Sequence, residues 1–135
     1  MEPSVLRPNQ FNVDEAWIAF KLNDAPICTE RYGEFNCICL MDAASCFILG
    51  TALVAHAVEP SELEMRRLFK SAQAKGKKLP TSLYLPIGEP QTTLTAEAKR
   101  LGISVTTVRK GDLRAFTHEA RQGFRDYLFN MGNEA

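Results

Sequence analysis

Arg114, His118, Arg121 and Arg125 follow one another at intervals of four, three and four residues, the spacing that puts side chains on one stripe of an α-helix. Guanidinium groups one helical turn apart suit a row of phosphates or the carboxylates of an acidic protein, so these four residues are the partner-binding candidates. Asp112, Glu119 and Asp126, seven apart, fall on a second, acidic stripe. Arg66, Arg67, Lys70, Lys75, Lys77 and Lys78 supply another basic surface earlier in the chain. Aromatic residues hardly interleave with either surface, so the stacking platforms typical of single-strand binders are missing.

Other reactive groups form no recognisable constellation. His56 and His118 are the only histidines, and neither adjoins a serine or cysteine in an elbow such as G-x-S-x-G. A Cys–His dyad, for instance Cys46 with His56, is left for the fold to make or break. No G-x-G or G-K-[ST] motif is present to cradle a nucleotide phosphate. Cys28, Cys37, Cys39 and Cys46 include no C-x-x-C pair, and no histidine stands at a zinc-finger distance from them. Cys37 and Cys39 share one face of a strand with Phe35 and Met41, which implies buried thiols and a reducing, cytoplasmic setting. No metal or cofactor is expected. The N-terminus has no apolar signal core and no run of about 18 apolar residues occurs, so no membrane is expected as a partner.

The elements that must position these residues read clearly from periodicity. At 135 residues, with 45% apolar and 24% charged content, the chain fits one soluble domain that buries about two-thirds of its unfolded surface. Residues 1–60 hold three Lys/Arg against eight Asp/Glu and residues 61–135 hold thirteen against eight, so charge is segregated although the net is zero. Residues 1–13, with Pro3 and Pro8, read as an extended leader, and 14–135 as the domain. Three apolar strands come first, Ala16–Leu22, Phe35–Met41 and Phe47–His56. Ser61 and Glu64 form a capping box for a helix that Gly76 ends, with Met65, Leu68, Phe69 and Ala72 as its buried stripe. A strand over Ser82–Ile87, a helix capped by Thr92 or Thr93 and stopped by Gly102, and a strand over Ile103–Val108 follow. A last helix starts near Asp112 or Thr117, with Phe116, Ala120, Phe124, Tyr127 and Leu128 inward.

The order βββαβαβα resembles the ribonuclease H-like plan of integrases and transposases. The hairpin Cys39-Leu40-Met41-Asp42-Ala43-Ala44-Ser45-Cys46-Phe47-Ile48-Leu49-Gly50 is similar to the second-to-third-strand hairpin of retroviral-type integrase cores. Leu83-Tyr84-Leu85-Pro86-Ile87-Gly88 resembles their fourth strand with its Asp-x-Gly. The likeness spans about residues 15–130 and implies an α/β domain: a five-stranded mixed sheet of order 3-2-1-4-5 between helices on both faces. It also implies where acids should be. The first-strand acid falls near Ala19, Lys21 or Asn23, the fourth-strand acid on Pro86, and only the final-helix acid has a counterpart, Glu119. Two divalent metals need several carboxylates. The expected function is therefore a non-catalytic binding or assembly module derived from a mobile-element integrase core, meeting nucleic acid or an acidic protein. The alternative is a divergent Mg²⁺- or Mn²⁺-dependent nuclease or strand-transfer enzyme with a rebuilt site, Asp24, Asp42 or Glu89 beside Glu119. A flavodoxin-like small-molecule binder fits less well, because its strands would alternate with helices from the start.

Overall fold

Ala16–Phe20 is buried on both faces, and the remaining elements assemble around it. The computed structural model describes residues 6–23, 26–30, 33–56, 58–88 and 92–133, leaving aside the side chains of Thr29 and of 128–133. The strands are β1 (Ala16–Lys21), β2 (Ile27–Thr29), β3 (Gly33–Asp42), β4 (Ile48–Ala55), β5 (Ser82–Pro86) and β6 (Ser104–Val108). The helices are α1 (Glu62–Gly76), α2 (Thr92–Arg100) and α3 (Arg114–Asn133), with single 3₁₀ turns at Pro8–Gln10 and Lys110–Leu113.

The sheet runs β4-β3-β1-β5-β6, with β3 antiparallel to β1 and β4, and β5 and β6 parallel to β1. That is the expected 3-2-1-4-5 order with one addition. β2 pairs the first residues of β3, where Phe35 lies between Ile27 and Ala55, so β2 continues the line of β1 along the same edge of β3. The break between them has a local cause. After the Leu22 amide bonds the Cys37 carbonyl, the Asn23 side chain takes over from the ladder. Its Oδ1 accepts the Cys37 N–H at 2.7 Å and its Nδ2 donates to Asn36 Oδ1 at 3.0 Å.

Two cores follow from the alternation of β1. Trp17 and Ala19 point to the side of α1 and α2, joining Leu40, Val54, Met65, Phe69, Leu83, Leu94 and Ile103. Trp17 stacks on Phe69 at 6.2 Å. Ile18 and Phe20 point to the side of α3, joining Cys37, Cys39, Met41, Leu113 and Phe116. Leu6 and Phe11, ahead of β1, pack on this second side. Leu6 N–H donates to the Asp112 carbonyl at 3.2 Å, and the Phe11 ring meets Tyr84 and Phe116 edge-on at 5.7 and 6.2 Å.

Several local expectations need correcting. The Ser61–Glu64 capping box forms and α1 ends at Gly76 as expected, with Lys77 (φ 68°) as the left-handed residue that follows. Gly102, at φ 81°, does close α2. The cap of α2 is not a threonine hydroxyl: Glu59 reaches across to accept the Thr93 N–H at 2.9 Å. Tyr127 is 59% exposed rather than inward. A helix of 20 residues is about 30 Å long, and Phe124 is the last of its described side chains to pack on the core. The side chain of Leu128 lies outside the described residues. β4 is an edge strand; its sequence ILGTALVA holds no charge, and Leu53 on it is exposed.

All four cysteines are thiols, with Cys37 and Cys39 buried as their shared face implies. Burial pushes the Cys37 thiol up from 9.0 to about 11. A folded-state value above the unfolded one means the folded chain keeps a proton that the unfolded chain gives up. The associated stability is therefore complete below pH 9 and disappears as pH rises to about 11, on the order of 2–3 kcal/mol. Urea unfolding at pH 8 and at pH 11 should show this loss, and Cys37→Ala should shrink the difference between the two pH values by a corresponding amount.

Candidate functional site

α3 owes its position to the inward row Leu113, Phe116, Ala120 and Phe124, and that row leaves the adjacent stripe facing outward. Arg114, His118, Arg121 and Arg125 all lie on it, and Lys110 and Gly111 of the preceding turn, with the buried Thr117, complete the lining of a shallow cleft of about 370 Å³. The four sequence-selected residues are thus brought together. Arg121 is also part of the framework: its Nε donates to the Lys21 carbonyl at 3.0 Å and its guanidinium lies 5.6 Å from the centre of the Phe20 ring. Arg125 donates to Gln122 Oε1 at 3.0 Å. The acidic stripe is broken up. Asp112 sits in the 3₁₀ turn and pairs with Arg109 at 3.3 Å, and Asp126 accepts from Gln122 at 3.2 Å.

The carboxylates of the rebuilt metal site fare differently. Asp24 and Glu89 lie outside the described residues. Asp42, at the end of β3, is 2% exposed and its oxygens are engaged. Oδ1 accepts the Asp14 N–H at 2.9 Å, and Oδ2 accepts the Ser45 N–H at 2.9 Å and the Ser45 hydroxyl at 2.7 Å. This is a turn-locking carboxylate. Glu119 is exposed on α3. Asp42 and Glu119 both act on Cys46: burial first, then Glu119, then Asp42 raise its thiol above the ordinary value. Asp42 pairs with Trp17 at the start of β1, about 13 Å along the strand from Lys21. Among the described residues no group of three His, Cys, Asp or Glu converges as a metal site would.

Cys46 and His56 lie beyond opposite ends of β4, about 26 Å apart, so the dyad does not form. His56 instead faces Glu34 at 4.0 Å.

Sequence reasoning missed Glu97. This α2 carboxylate is 6% exposed and is held by Arg100 through two bonds, 2.9 and 2.6 Å, with Arg66 of α1 at 3.8 Å. The pair raises the Arg100 guanidinium above its usual range. The i, i+3 spacing of Glu97 and Arg100 was a usable signal; nothing in the sequence tied Arg66 to them.

No protein-family model and no curated protein sequence matches the chain. Solved structures do. The HTLV-2 integrase catalytic core domain, in complex with magnesium, matches with a TM-score of 0.54 at 13% identity, over 90% of this chain and 77% of that one. The catalytic core domain of BIV integrase gives 0.56 at 15%, over 90% and 74%. A chain of the simian T-cell lymphotropic virus intasome in complex with PP2A regulatory subunit B56 gamma gives 0.60 at 12%, and 99% of this chain spans 44% of it. This is a ribonuclease H-like fold of the integrase-core kind.

On that frame, the positions where the resemblance puts strand acids can be read directly. Ala19 is sealed in the core, the Asn23 amide bridges to β3, and Pro86 is buried at the end of β5. Lys21 ends β1, with the Arg121 guanidinium on its carbonyl. None of these four side chains is a carboxylate, and the one neutral oxygen donor among them, Asn23 Oδ1, accepts the Cys37 N–H. In this ribonuclease H-like domain Asp42→Ala should lower stability by roughly 2–4 kcal/mol, because three donors lose a buried anionic acceptor. Thermal denaturation checks this. Unchanged stability would mean that the carboxylate is not structural.

Proposed function

We propose that the chain is a non-catalytic ribonuclease H-like binding or assembly module, derived from a mobile-element integrase core, whose α3 cleft engages a nucleic-acid backbone. The observation that carries this reading is Arg121. Its guanidinium rests on the carboxyl end of β1, the strand end at which enzymes of this plan gather carboxylates around metal. A fixed cation there repels divalent metal and attracts phosphate. Arg114, His118, Arg125 and Lys110 around the same cleft extend the attraction along α3. No helix among the described residues is long and apolar enough to cross a membrane. The buried thiols of Cys37 and Cys39 support a place in the reducing cytoplasm.

One finding favours a second reading: the likeness to an integrase core solved with magnesium. On that reading the chain is a divergent Mg²⁺- or Mn²⁺-dependent nuclease or strand-transfer enzyme using Asp42, Glu89 and Glu119. The two readings part in one assay. On the first, purified protein with either metal leaves duplex, single strands and RNA–DNA hybrid intact. Metal-dependent cleavage that disappears in Glu119→Gln would establish the second.

Binding to duplex should fall with salt, with a log–log slope of about −0.9 for each phosphate neutralised. Replacing Arg114 and Arg125 together by alanine should flatten that slope by roughly two such increments and leave the melting temperature unchanged. Arg121 is not the residue to test here, since its loss would also disturb β1. An affinity weaker than about 10⁻⁴ M at physiological salt would overturn the nucleic-acid assignment.

A further inference from the structure

We propose that the groove between α1 and α2 is a docking site for an acidic peptide segment anchored by an aliphatic side chain. It lies on the face of the sheet opposite α3 and stands independently of the nucleic-acid reading. α1 presents Leu63, Arg66, Arg67, Lys70 and Gln73 at i, i+3, i+4, i+7 and i+10, one stripe along the groove. α2 supplies Glu97 and Arg100, and the space between the helices is about 520 Å³, within the range of ligand sites.

Its floor is apolar and its walls are cationic. Phe69 is buried beneath it and Leu101 half-buried, while Leu63 at the rim is 55% exposed. Four cationic side chains line it against one carboxylate among the described residues, Glu97. That carboxylate is already held by Arg100 at 2.6 Å with Arg66 at 3.8 Å, so it repels an incoming acid little and fixes two guanidinium groups at the rim. Among the described residues neither Arg67 nor Lys70 takes part in an ion pair.

The occupant follows from complementarity. A sugar–phosphate backbone would answer the charges but leave Leu63 and Leu101 in water. An uncharged apolar ligand would cover the floor and strand the cations. Carboxylates flanking an aliphatic residue satisfy both, with the aliphatic group on Leu63 and Leu101 and the acids on Arg67, Lys70 and Arg100. The stripe from Leu63 to Gln73 is about 15 Å long, the span of roughly four or five extended residues.

Fluorescence anisotropy on the full chain tests this with a labelled, end-capped peptide in which leucine is flanked by glutamates. Arg67→Glu combined with Lys70→Glu should weaken binding more than about tenfold, a difference of about 1.4 kcal/mol. Leu63→Ser, or serine for leucine in the peptide, should each weaken it several-fold, while Arg114→Ala changes nothing. If charge reversal unfolds α1 by circular dichroism, Arg67→Gln with Lys70→Gln carries the same comparison with a smaller loss. Three results would overturn the proposal: no peptide binding up to about millimolar concentration, equal binding by the charge variants, or equal binding of the serine peptide. Displacement of the peptide by oligodeoxythymidine, with an affinity untouched by Leu63→Ser, would assign the groove to nucleic acid instead.

Discussion

The two-sided burial of β1 is the constraint from which the rest of this structure follows. Residues 16–20 are enclosed by β3 and β5 at the sides and by helices above and below. Nothing charged is tolerated in such a strand unless a metal or a partner compensates it, because an unpaired buried carboxylate loses several kcal/mol of hydration. The sequence AWIAFK obeys this strictly, admitting its first charge at Lys21, where the strand emerges. The alternation of the same strand then creates two cores, and each core recruits its own helices. The polar chemistry of the molecule is consequently displaced to the helix surfaces and the strand ends.

Among the described residues, the charged groups that enter the interior are occupied in holding elements together. Asp42 ties the segment before β1, at Asp14, to the β3–β4 turn at Ser45. Glu97 links α2 to α1 through Arg66. Arg121 seats α3 on β1 through a carbonyl and an aromatic face. Each is a charge-assisted contact between elements far apart in sequence, stronger than a neutral hydrogen bond and more specific in direction than apolar packing. In this ribonuclease H-like frame the acids buried among the described residues serve as fasteners. Its exposed cations gather on α3 on one side of the sheet and on α1 and α2 on the other.

Much of this was readable in the residues. The strand alternation, the Ser61–Glu64 box, the Met65–Leu68–Phe69–Ala72 stripe and the stop at Gly102 rest on contacts within a few positions, and periodicity exposes such contacts directly. The sheet order followed from two hairpins preceding the crossover helices. What stayed hidden depends on distance in sequence. Glu59 caps α2 from 34 positions away, and Arg121 finds Lys21 across 100. The division of β2 from β1 needed the Asn23 side chain to stand in for backbone, which no propensity encodes. The stripe of Arg114, His118, Arg121 and Arg125 was legible because one helix carries it whole. The Glu97 clamp was only half legible because two helices share it.

The edge strand β4 has a consequence of its own. Proteins ordinarily protect the last strand of a sheet with a lysine, a proline or an inward charge, so that its unpaired amides and carbonyls do not recruit a foreign strand. ILGTALVA carries none of these, and its one irregularity, the extra residue Leu49 set against Leu40 and Met41, lies at its start. A chain emerging from synthesis or recovering from heat therefore offers an open hydrogen-bonding template with Leu53 exposed. A single lysine at Thr51 or Leu53 would supply the missing guard while leaving both cores, and both cationic surfaces, as they are.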